Sequence, residues 1–338
     1  MAKRGRIRRA GRVAEELAKL KLGRYPFLAG IPHYERVRGM TLSQSTLVED
    51  RRKLRQFAKI FETMKSKGEI NTTDPRHMDY PEIEAFYLWM RKGGQSSTTR
   101  RTYLKILNRY LRTWGNFIID IMVDEGSASM PAEEESPIKA LEIDEIRAVF
   151  AAADEEEGYR GIVIRGLLAV CFGTGIRPKE IFNPEVLDID LKNRRFFVRH
   201  PKGEETWGKK QWMSIIREDM LPRIQRFLDE RAAYLASVNV KSKDLFVNPA
   251  TGAPLASGSL RRYKDRVARA AGIPFAIKDL RSTLTTVLID DDYARLKPMS
   301  KQLRHSSEKI TEKYYARINV TKAIQKDLGT AWKSSEIV

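Results

Sequence analysis

Apolar side chains recur at helical spacing through the first third of the chain. From Thr46 to Gly68 they fall near every third or fourth position, and the closing glycine predicts the end of a helix. A second helix is predicted over 81–94, which opens with a proline and closes on two glycines. A third is predicted over 96–116, where one face is apolar. The apolar positions of this third helix are Tyr103, Ile106, Leu107, Tyr110, Leu111 and Trp114.

The opposite face of the third predicted helix is almost entirely basic. A charged face is usually only a solvated one, but here the charges share one sign and the helix opens with Ser and Thr residues. That combination is expected of a helix that lies beside phosphate groups. The residues that we predict to contact DNA from this helix are Arg100, Arg101, Lys105, Arg109 and Arg112.

The second half of the chain mixes helical and strand patterns. Helices are predicted over 140–156 and 159–175, and the second is apolar enough to lie in a core. Residues 194–199 and 211–216 are rich in β-forming side chains and predict a hairpin with a long, lysine-bearing turn. A loop, a helix over 260–272 and further helical patterns follow. The chain is therefore predicted to be mainly α with a small antiparallel β-sheet.

The composition is that of a globular protein that binds a polyanion. The chain has 338 residues, of which 42% are hydrophobic and 31% charged, and its formal net charge is +18. Such a balance indicates nucleic acid first. An anionic membrane surface and a merely solvated basic surface are the alternatives. No run of about 18 uncharged apolar residues occurs, so we expect no membrane-spanning segment.

Charge is distributed unevenly along the chain. Residues 1–125 carry 26 basic and 14 acidic side chains, a balance of +12, and residues 158–338 carry 34 and 20, a balance of +14. Between them, residues 126–157 carry 2 basic and 10 acidic side chains, a balance of −8. This block begins with Gly, Ser, Pro and like charges, which disfavour packing. We interpret 124–137 as an interdomain linker; a surface loop within one domain is the alternative.

The length and these patterns together predict two domains with extensions. The tract KRGRIRRAGR near the N-terminus has no apolar periodicity and is either an arm that follows the DNA backbone or minor groove, or a tail without such a role. The predicted segments are a basic extension at 1–40, a helical domain at 41–123, the linker at 124–137, a second domain at 138–320 and a C-terminal segment at 321–338.

Cysteine and histidine are too few to predict a disulfide or a metal site. The single cysteine, Cys171, lies in an apolar run and is predicted to be a buried hydrophobic side chain. Four scattered histidines form no zinc-binding pattern, so no metal or cofactor is predicted. One cysteine fits a reducing compartment, and the basic N-terminus lacks the apolar run of a secretory signal. We expect a cytoplasmic, nucleoid-associated protein; a mitochondrial presequence is the alternative interpretation of the N-terminus.

Several charged residues stand at predicted structural corners, where metal-free phosphodiester chemistry would need them. Such a site requires a nucleophile, fixed positive charge for the non-bridging oxygens and a proton donor for the leaving oxygen. Arginine suits the second task because its planar fork binds two oxygens and stays protonated. The candidates are Arg177, Glu180, Lys202, Lys278, Arg281 and His305. Taken singly, each would more often be a surface or capping residue.

In this order and spacing, the candidates resemble the catalytic boxes of the tyrosine recombinase family, the phage integrases and Xer-type resolvases. The matching stretches are TGIRPKEI, PKGEE, KDLR and LRHSS, followed by a tyrosine nine positions after His305. That tyrosine is Tyr314, and the adjacent Tyr315 is predicted to be a packing residue. The catalytic residues implied by the resemblance are Arg177, Lys202, Lys278, Arg281, His305 and Tyr314, with Glu180 in support.

The resemblance also implies a mechanism. Tyr314 attacks the scissile phosphate, which gives a 3′-phosphotyrosyl link and a free 5′-hydroxyl. Arg177 and Arg281 stabilise the charge on the non-bridging oxygens, and Lys202 donates a proton to the 5′-oxygen. His305 hydrogen-bonds the phosphate and helps to take the proton of the phenol, whose ordinary pKa of about 10 makes it a poor nucleophile without nearby cations.

Two positions depart from the family pattern. Lys278, implied to hydrogen-bond the phosphate, stands where many members have histidine. Arg304 stands where glycine is usual, directly before His305. We expect Arg304 to alter the turn or to add a DNA contact, and we include it among the predicted DNA-contacting residues.

The implied architecture is a helical core-binding domain followed by an α+β catalytic domain. The implied partners are double-stranded DNA and further copies of the chain, since strand exchange through a Holliday junction needs a tetramer on two DNA sites. The apolar stripe of 321–338 is predicted to dock on a neighbouring protomer, although such a stripe also suits the chain's own core. A type IB topoisomerase-like enzyme and a non-catalytic DNA-binding protein are the alternative functions. Mobile-element integration and Xer-like resolution are not separated.

Overall fold

The described part of the chain falls into two compact units. The computed structural model describes residues 20–134, 139–204, 208–291, 295–305, 307–308 and 311. The division lies between residues 136 and 137, and each unit has a hydrophobic core of its own. Both are mainly helical and the C-terminal unit carries a small antiparallel sheet, so the predicted fold class is confirmed.

The N-terminal unit is built from helices whose apolar faces meet in one core. The three helices predicted from periodicity are observed with capped ends: Ser43 and Ser96 cap α3 and α5 through their hydroxyls, and a capping box opens α4. The helices are α1 (Pro26–Ala29), α2 (Ile31–Arg38), α3 (Gln44–Ser66), α4 (Tyr80–Lys92), α5 (Ser97–Thr113) and α6 (Ile118–Asp124).

Helices α1 and α2 correct the predicted start of the first domain. Residues 26–38 fall within the segment 1–40 that the charge pattern assigned to a basic extension. Phe27, Ile31 and Tyr34 are nevertheless buried in the N-terminal core. The boundary at residue 40 was misplaced because short helices with few apolar positions give little periodicity. The basic tract itself lies outside the described residues.

The segment that follows α6 packs along the N-terminal unit. Ser97 and Arg101 of α5 donate hydrogen bonds to the carbonyls of Ala132 at 2.6 Å and Pro131 at 2.9 Å. Thr98 likewise donates to the carbonyl of Glu134 at 3.0 Å. Residues 131–134 of the predicted linker therefore lie against the first turns of α5, and residues 135–138 lie outside the described part.

The C-terminal unit surrounds one nearly all-apolar helix, α8. Almost every side chain of α8 is buried, including Cys171 at 1% exposure, as the apolar run predicts. The helices are α7 (Ile143–Asp154), α8 (Gly158–Thr174), α9 (Leu221–Ser237), α10 (Ser257–Ala270), α11 (Ile277–Asp291) and α12 (Leu296–Gln302), with 3-10 turns at Val186–Asp188 and Glu218–Met220.

The sheet of the C-terminal unit has three antiparallel strands in the order β1-β2-β3. The predicted hairpin is observed as β2 (Arg195–Val198) and β3 (Gln211–Ser214), with Phe196 opposite Met213 on the buried face. Strand β1 (Ile189–Asp190) was not predicted, because two residues are too few for an alternating pattern. The β2–β3 connection holds Lys202 in a turn.

Candidate active site and nucleic-acid interface

The carboxylate of Glu180 lies at the centre of a group of basic residues in the C-terminal unit. Its side chain is completely buried, at 0% exposure. Oε1 accepts hydrogen bonds from the Arg177 guanidinium at 3.3 Å and from the backbone N–H of Lys202 at 3.1 Å. Oε2 accepts from the backbone N–H of Arg177 at 3.2 Å and from the guanidinium of Arg304. One buried carboxylate thus joins the ends of α8 and α12 to the β2–β3 turn.

Arg281 joins the ends of the same two helices from α11. Its two terminal nitrogens donate to the carbonyls of Gly175 and Leu303, each at 2.7 Å. Gly175 ends α8 with φ 70°, and a Cβ there would lie 3.1 Å from Leu284 and 3.2 Å from Leu303. The left-handed backbone therefore favours glycine at this corner, and a Cβ would require the two leucine side chains to move slightly. The corner places Arg177 two residues later.

The hydrogen bonds of His305 define its tautomer. Nε2 lies 3.0 Å from a terminal nitrogen of Arg281, which has no lone pair to offer, so Nε2 accepts. Nδ1 then carries the proton and donates to Oγ1 of Thr311 at 2.7 Å. Burial, followed by the charges of Arg281 and Arg177, lowers the pKa of His305 to about 4. The imidazole is therefore neutral at physiological pH.

Arg304 has an unusual backbone and a buried side chain. Its φ is 55°, in the left-handed region, where a side chain other than glycine costs roughly 1–2 kcal/mol. Its carbonyl accepts a hydrogen bond from the Arg177 guanidinium at 2.8 Å. Its side chain is only 9% exposed and pairs with Glu180, while its Nε is buried without a hydrogen-bond partner among the described residues. Burial lowers the pKa of Arg304, Glu180 raises it and Arg177 lowers it again.

The site carries excess positive charge. Two guanidinium groups, those of Arg177 and Arg304, pair with one carboxylate, and a third, that of Arg281, donates to backbone carbonyls beside a neutral histidine. We call these three residues the arginine cluster. Most of their other partners are backbone carbonyls, which satisfy hydrogen bonds without cancelling charge. Such a partly buried, preorganised set of donors suits a phosphate whose charge increases during reaction.

The structure brings together many, but not all, of the residues predicted for the site. Those that meet are Arg177, Glu180, Arg281, Arg304 and His305. Lys202 joins through its backbone only, and its side chain is exposed. Lys278 is exposed on the first turn of α11. Tyr314 and Tyr315 lie outside the described residues, so their roles stay predictions.

Sequence similarity covers the same region. A family model described as "Phage integrase family" matches residues 139–322, which is more than half of the chain. The chain belongs to the phage integrase family. The match spans every member of the arginine cluster, and it also includes Tyr314.

Curated relatives of this integrase-family chain are tyrosine recombinases. A "Tyrosine recombinase XerC-like" protein of Caldanaerobacter subterraneus subsp. tengcongensis is 24% identical over 276 residues, covering 70% of this chain and 66% of the relative. The XerC of Staphylococcus carnosus is 24% identical over 241 residues, covering 71% and 77%. The chain spans 66% of the first relative, and only 49% of "Tyrosine recombinase XerC 2" of Ralstonia nicotianae.

Solved structures share the fold of this integrase-family chain. A XerH site-specific recombinase bound to palindromic difH substrate has a TM-score of 0.62 at 16% identity and covers 91% of this chain and 97% of that chain. Lambda integrase (residues 75–356) bound to DNA has a TM-score of 0.58 at 17% identity and covers 93% and 100%. At these identities the likeness shows the two-domain fold.

The basic face of α5 is less available than the sequence predicts. Arg109 pairs with the buried Asp50 at 3.0 Å, and Arg112 pairs with Asp120 at 2.7 Å. Arg101 is held by the carbonyl of Pro131, and the Nε of Arg100 is buried with no hydrogen-bond partner in the described part of the chain. These contacts give the arginines structural roles beside any role in DNA binding.

Lys105 is an exposed cation in the middle of α5. It lies one helical turn from Arg101 and from Arg109, so it points to the same side of the helix. Of the five residues predicted to contact DNA from α5, it has the least structural reason to be basic.

A basic groove on α3 was missed by the sequence analysis. Its lining residues are Val48, Arg51, Arg52, Arg55, Gln56 and Lys59. Arg55 and Lys59 are exposed one turn apart, whereas Arg51 and Arg52 pair with Glu35 and Glu49. The signal was present as basic residues opposite the apolar positions of this helix.

Thr311, which accepts a hydrogen bond from His305, was also missed by the sequence analysis, because a single threonine carries no pattern.

Two features are absent from the described residues, a metal-binding cluster and a membrane-spanning helix. Within them, no three His, Cys, Asp or Glu side chains gather in a way that could hold a metal ion. No helix of the described ranges combines the length and apolar character that crossing a bilayer requires.

Proposed function

We propose that this chain is a site-specific DNA recombinase that cleaves and rejoins strands through a 3′-phosphotyrosyl intermediate. The observation that carries the proposal is the arginine cluster around the buried Glu180, within the region that matches the phage integrase family. The net charge of +18 supports DNA as the substrate.

The cluster supplies the electrostatic part of the reaction. Arg177 and Arg281 hold the non-bridging oxygens of the scissile phosphate, and their charge stabilises the pentacoordinate state more than the ground state. The backbone carbonyls of Gly175, Leu303 and Arg304 orient these guanidiniums before DNA binds. Preorganisation of this kind avoids reorienting the donors during the reaction.

The covalent step transfers the phosphate between two oxygens. A bond forms between the Tyr314 phenol oxygen and phosphorus, and the bond from phosphorus to the 5′-oxygen breaks. Lys202 gives a proton to the leaving 5′-oxygen. His305 is neutral and can accept the phenol proton at Nε2 once that atom exchanges its bond with Arg281. Attack by a 5′-hydroxyl on the phosphotyrosine reverses the step and religates the strand.

The proposed partners follow from strand exchange. Two duplexes are cleaved, so four copies act together on two sites through a Holliday junction. One solved relative of the fold is described as a lambda integrase tetramer bound to a Holliday junction, which supports this assembly. We assign residues 321–338, outside the described part, to docking on the neighbouring copy. We expect the protein to act on nucleoid DNA in the cytoplasm.

A suicide substrate tests the proposal. A nicked cognate duplex, selected from genomic fragments that the protein retains, should trap a covalent protein–DNA adduct with the wild type and with Tyr315→Phe. Tyr314→Phe should form none. An adduct with Tyr314→Phe but not with Tyr315→Phe would assign the nucleophile to the other tyrosine. Binding without any adduct would favour a non-catalytic DNA-binding protein, and relaxation of supercoils without a partner site would favour a topoisomerase.

A further inference from the structure

We propose that Arg304 is a positioning residue, which holds Glu180 with its side chain and Arg177 with its carbonyl so that the Arg177 guanidinium is directed at the scissile phosphate. The proposal rests on the proposed function and concerns how that site is set. It departs from the expectation that Arg304 contacts DNA directly.

The side chain of Arg304 has little access to a DNA phosphate. It is 9% exposed, and its guanidinium pairs with a carboxylate that is completely buried. To reach a DNA phosphate, the Arg304 guanidinium would have to break its pair with Glu180. The buried carboxylate would then have one guanidinium partner fewer. A buried ion is strongly destabilised when its partner is removed, so the pair is retained when DNA binds.

Glu180 is shared between two arginines, and this sharing controls Arg177. The Arg177 guanidinium donates to Oε1 at 3.3 Å, whereas Arg304 takes Oε2. Without the Arg304 side chain, Glu180 would have Arg177 as its one remaining guanidinium partner among the described residues. Arg177 would then be drawn toward the carboxylate and away from the substrate.

The backbone of Arg304 acts on Arg177 independently of its side chain. The left-handed turn at φ 55° directs its carbonyl at the Arg177 guanidinium, which donates to it at 2.8 Å. This contact uses one terminal nitrogen of Arg177, and Glu180 uses the other. Both terminal nitrogens of Arg177 are therefore held. The carbonyl of Arg304 holds one, and Glu180, which pairs with the Arg304 side chain, holds the other.

Arg304→Gly separates the two contributions, because glycine keeps the left-handed turn and removes only the side chain. We expect the rate of adduct formation at saturating suicide substrate to fall about 10- to 100-fold, as for a misplaced reacting group. The Kd for DNA and its salt dependence should stay within about twofold, since no phosphate contact is lost. Arg304→Lys should recover part of the rate, because it restores a cation beside Glu180.

Arg194 provides a matched control. It is also an arginine in the left-handed region, at φ 52°, but it is exposed and pairs with Glu218. Arg194→Gly makes the same change of chain flexibility and should leave the cleavage rate unchanged. Circular dichroism and the DNA Kd report whether each variant is folded.

A double-mutant cycle with Glu180→Gln completes the test. If Arg304 acts through Glu180, the two substitutions together should slow cleavage by clearly less than the product of their separate effects. Independent effects would overturn the proposal, as would a wild-type rate for Arg304→Gly. If Arg304→Gly slows cleavage only because it binds DNA more weakly, with a smaller slope of affinity against log salt, Arg304 instead contacts a phosphate. If the wild type forms no adduct at all, the proposed function fails rather than the role of Arg304.

Discussion

The arginines of the two units are held in different ways. In the C-terminal unit, two members of the arginine cluster, Arg177 and Arg304, share one carboxylate, that of Glu180, and the cluster otherwise donates largely to backbone carbonyls. In the N-terminal unit, arginines of α5 pair with separate acids, as Arg109 does with Asp50 and Arg112 with Asp120. Similar side chains are thus placed in opposite electrostatic settings.

The difference separates two tasks. A carbonyl satisfies a guanidinium without cancelling its charge, so the cluster keeps the positive charge that a reacting phosphate needs. A paired carboxylate cancels charge, so the α5 arginines contribute more to packing than to attraction of DNA. In the proposed function, exposed cations such as Lys105 and Lys59 supply affinity for DNA, which depends on salt.

The largest expected effect is on cleavage. Arg281→Ala removes a preorganised donor and should slow adduct formation on a suicide substrate by about 10²–10³-fold at saturating DNA. Arg112→Ala is the matched control from α5, and it should change the rate at saturating DNA very little. Comparable losses in both variants would break the distinction between the two sets of arginines.

The next effect is on stability. Arg109→Ala leaves Asp50, which is 2% exposed, without its guanidinium, and should lower the free energy of unfolding by about 1.5–3 kcal/mol. Lys105→Ala, one turn away, should stay within about 0.5 kcal/mol and should reduce the slope of DNA affinity against log salt by about 0.9. Urea unfolding and salt titrations measure the two quantities. A Lys105 variant that loses stability like the Arg109 variant would contradict the assignment.

A smaller effect concerns pH. The pKa of His305 falls from its ordinary 6.5 to about 4 in the folded protein, chiefly because of burial. Above pH 6.5, His305 is neutral in both the folded and the unfolded protein. As the pH falls toward 4, only the unfolded chain takes up a proton at this residue, so the free energy of unfolding decreases. His305→Asn should flatten this dependence in urea unfolding of the C-terminal unit. An unaltered slope in His305→Asn would refute the argument.

The smallest effect concerns the acidic segment beside α5. Glu133 is 70% exposed and lies 4.0 Å from Arg101, so its attraction is of the weak, screened kind worth about 0.2–1 kcal/mol. Glu133→Gln should remove this attraction on Arg101, which stays bonded to the Pro131 carbonyl, and strengthen DNA binding slightly at low salt. Glu134→Gln removes the same charge next door and serves as the control. Equal changes in the two variants would indicate overall charge rather than this pair.

Much of the architecture was predictable because periodicity and caps are local. The spacing of apolar residues in α3 and α5, the apolar length of α8 and the β-rich runs of the hairpin each follow from neighbouring residues. Helices α1 and α2 and strand β1 escaped prediction because they are too short to repeat a pattern. Their place is decided by burial of residues such as Phe27 and Tyr34 against distant helices.

The candidate site likewise has features that the sequence predicted and features that it did not. Motif order and spacing identified Arg177, Glu180, Arg281 and His305, and the structure brings these four together. The sequence by itself thus singled out these residues, because their order and spacing resemble the catalytic boxes of the tyrosine recombinase family. Only the tertiary structure decided how their charges balance: it buried Arg304 against Glu180, 124 residues away in sequence, and left His305 neutral between Arg281 and Thr311. Those outcomes depend on burial and on contacts between distant segments, which no local pattern encodes.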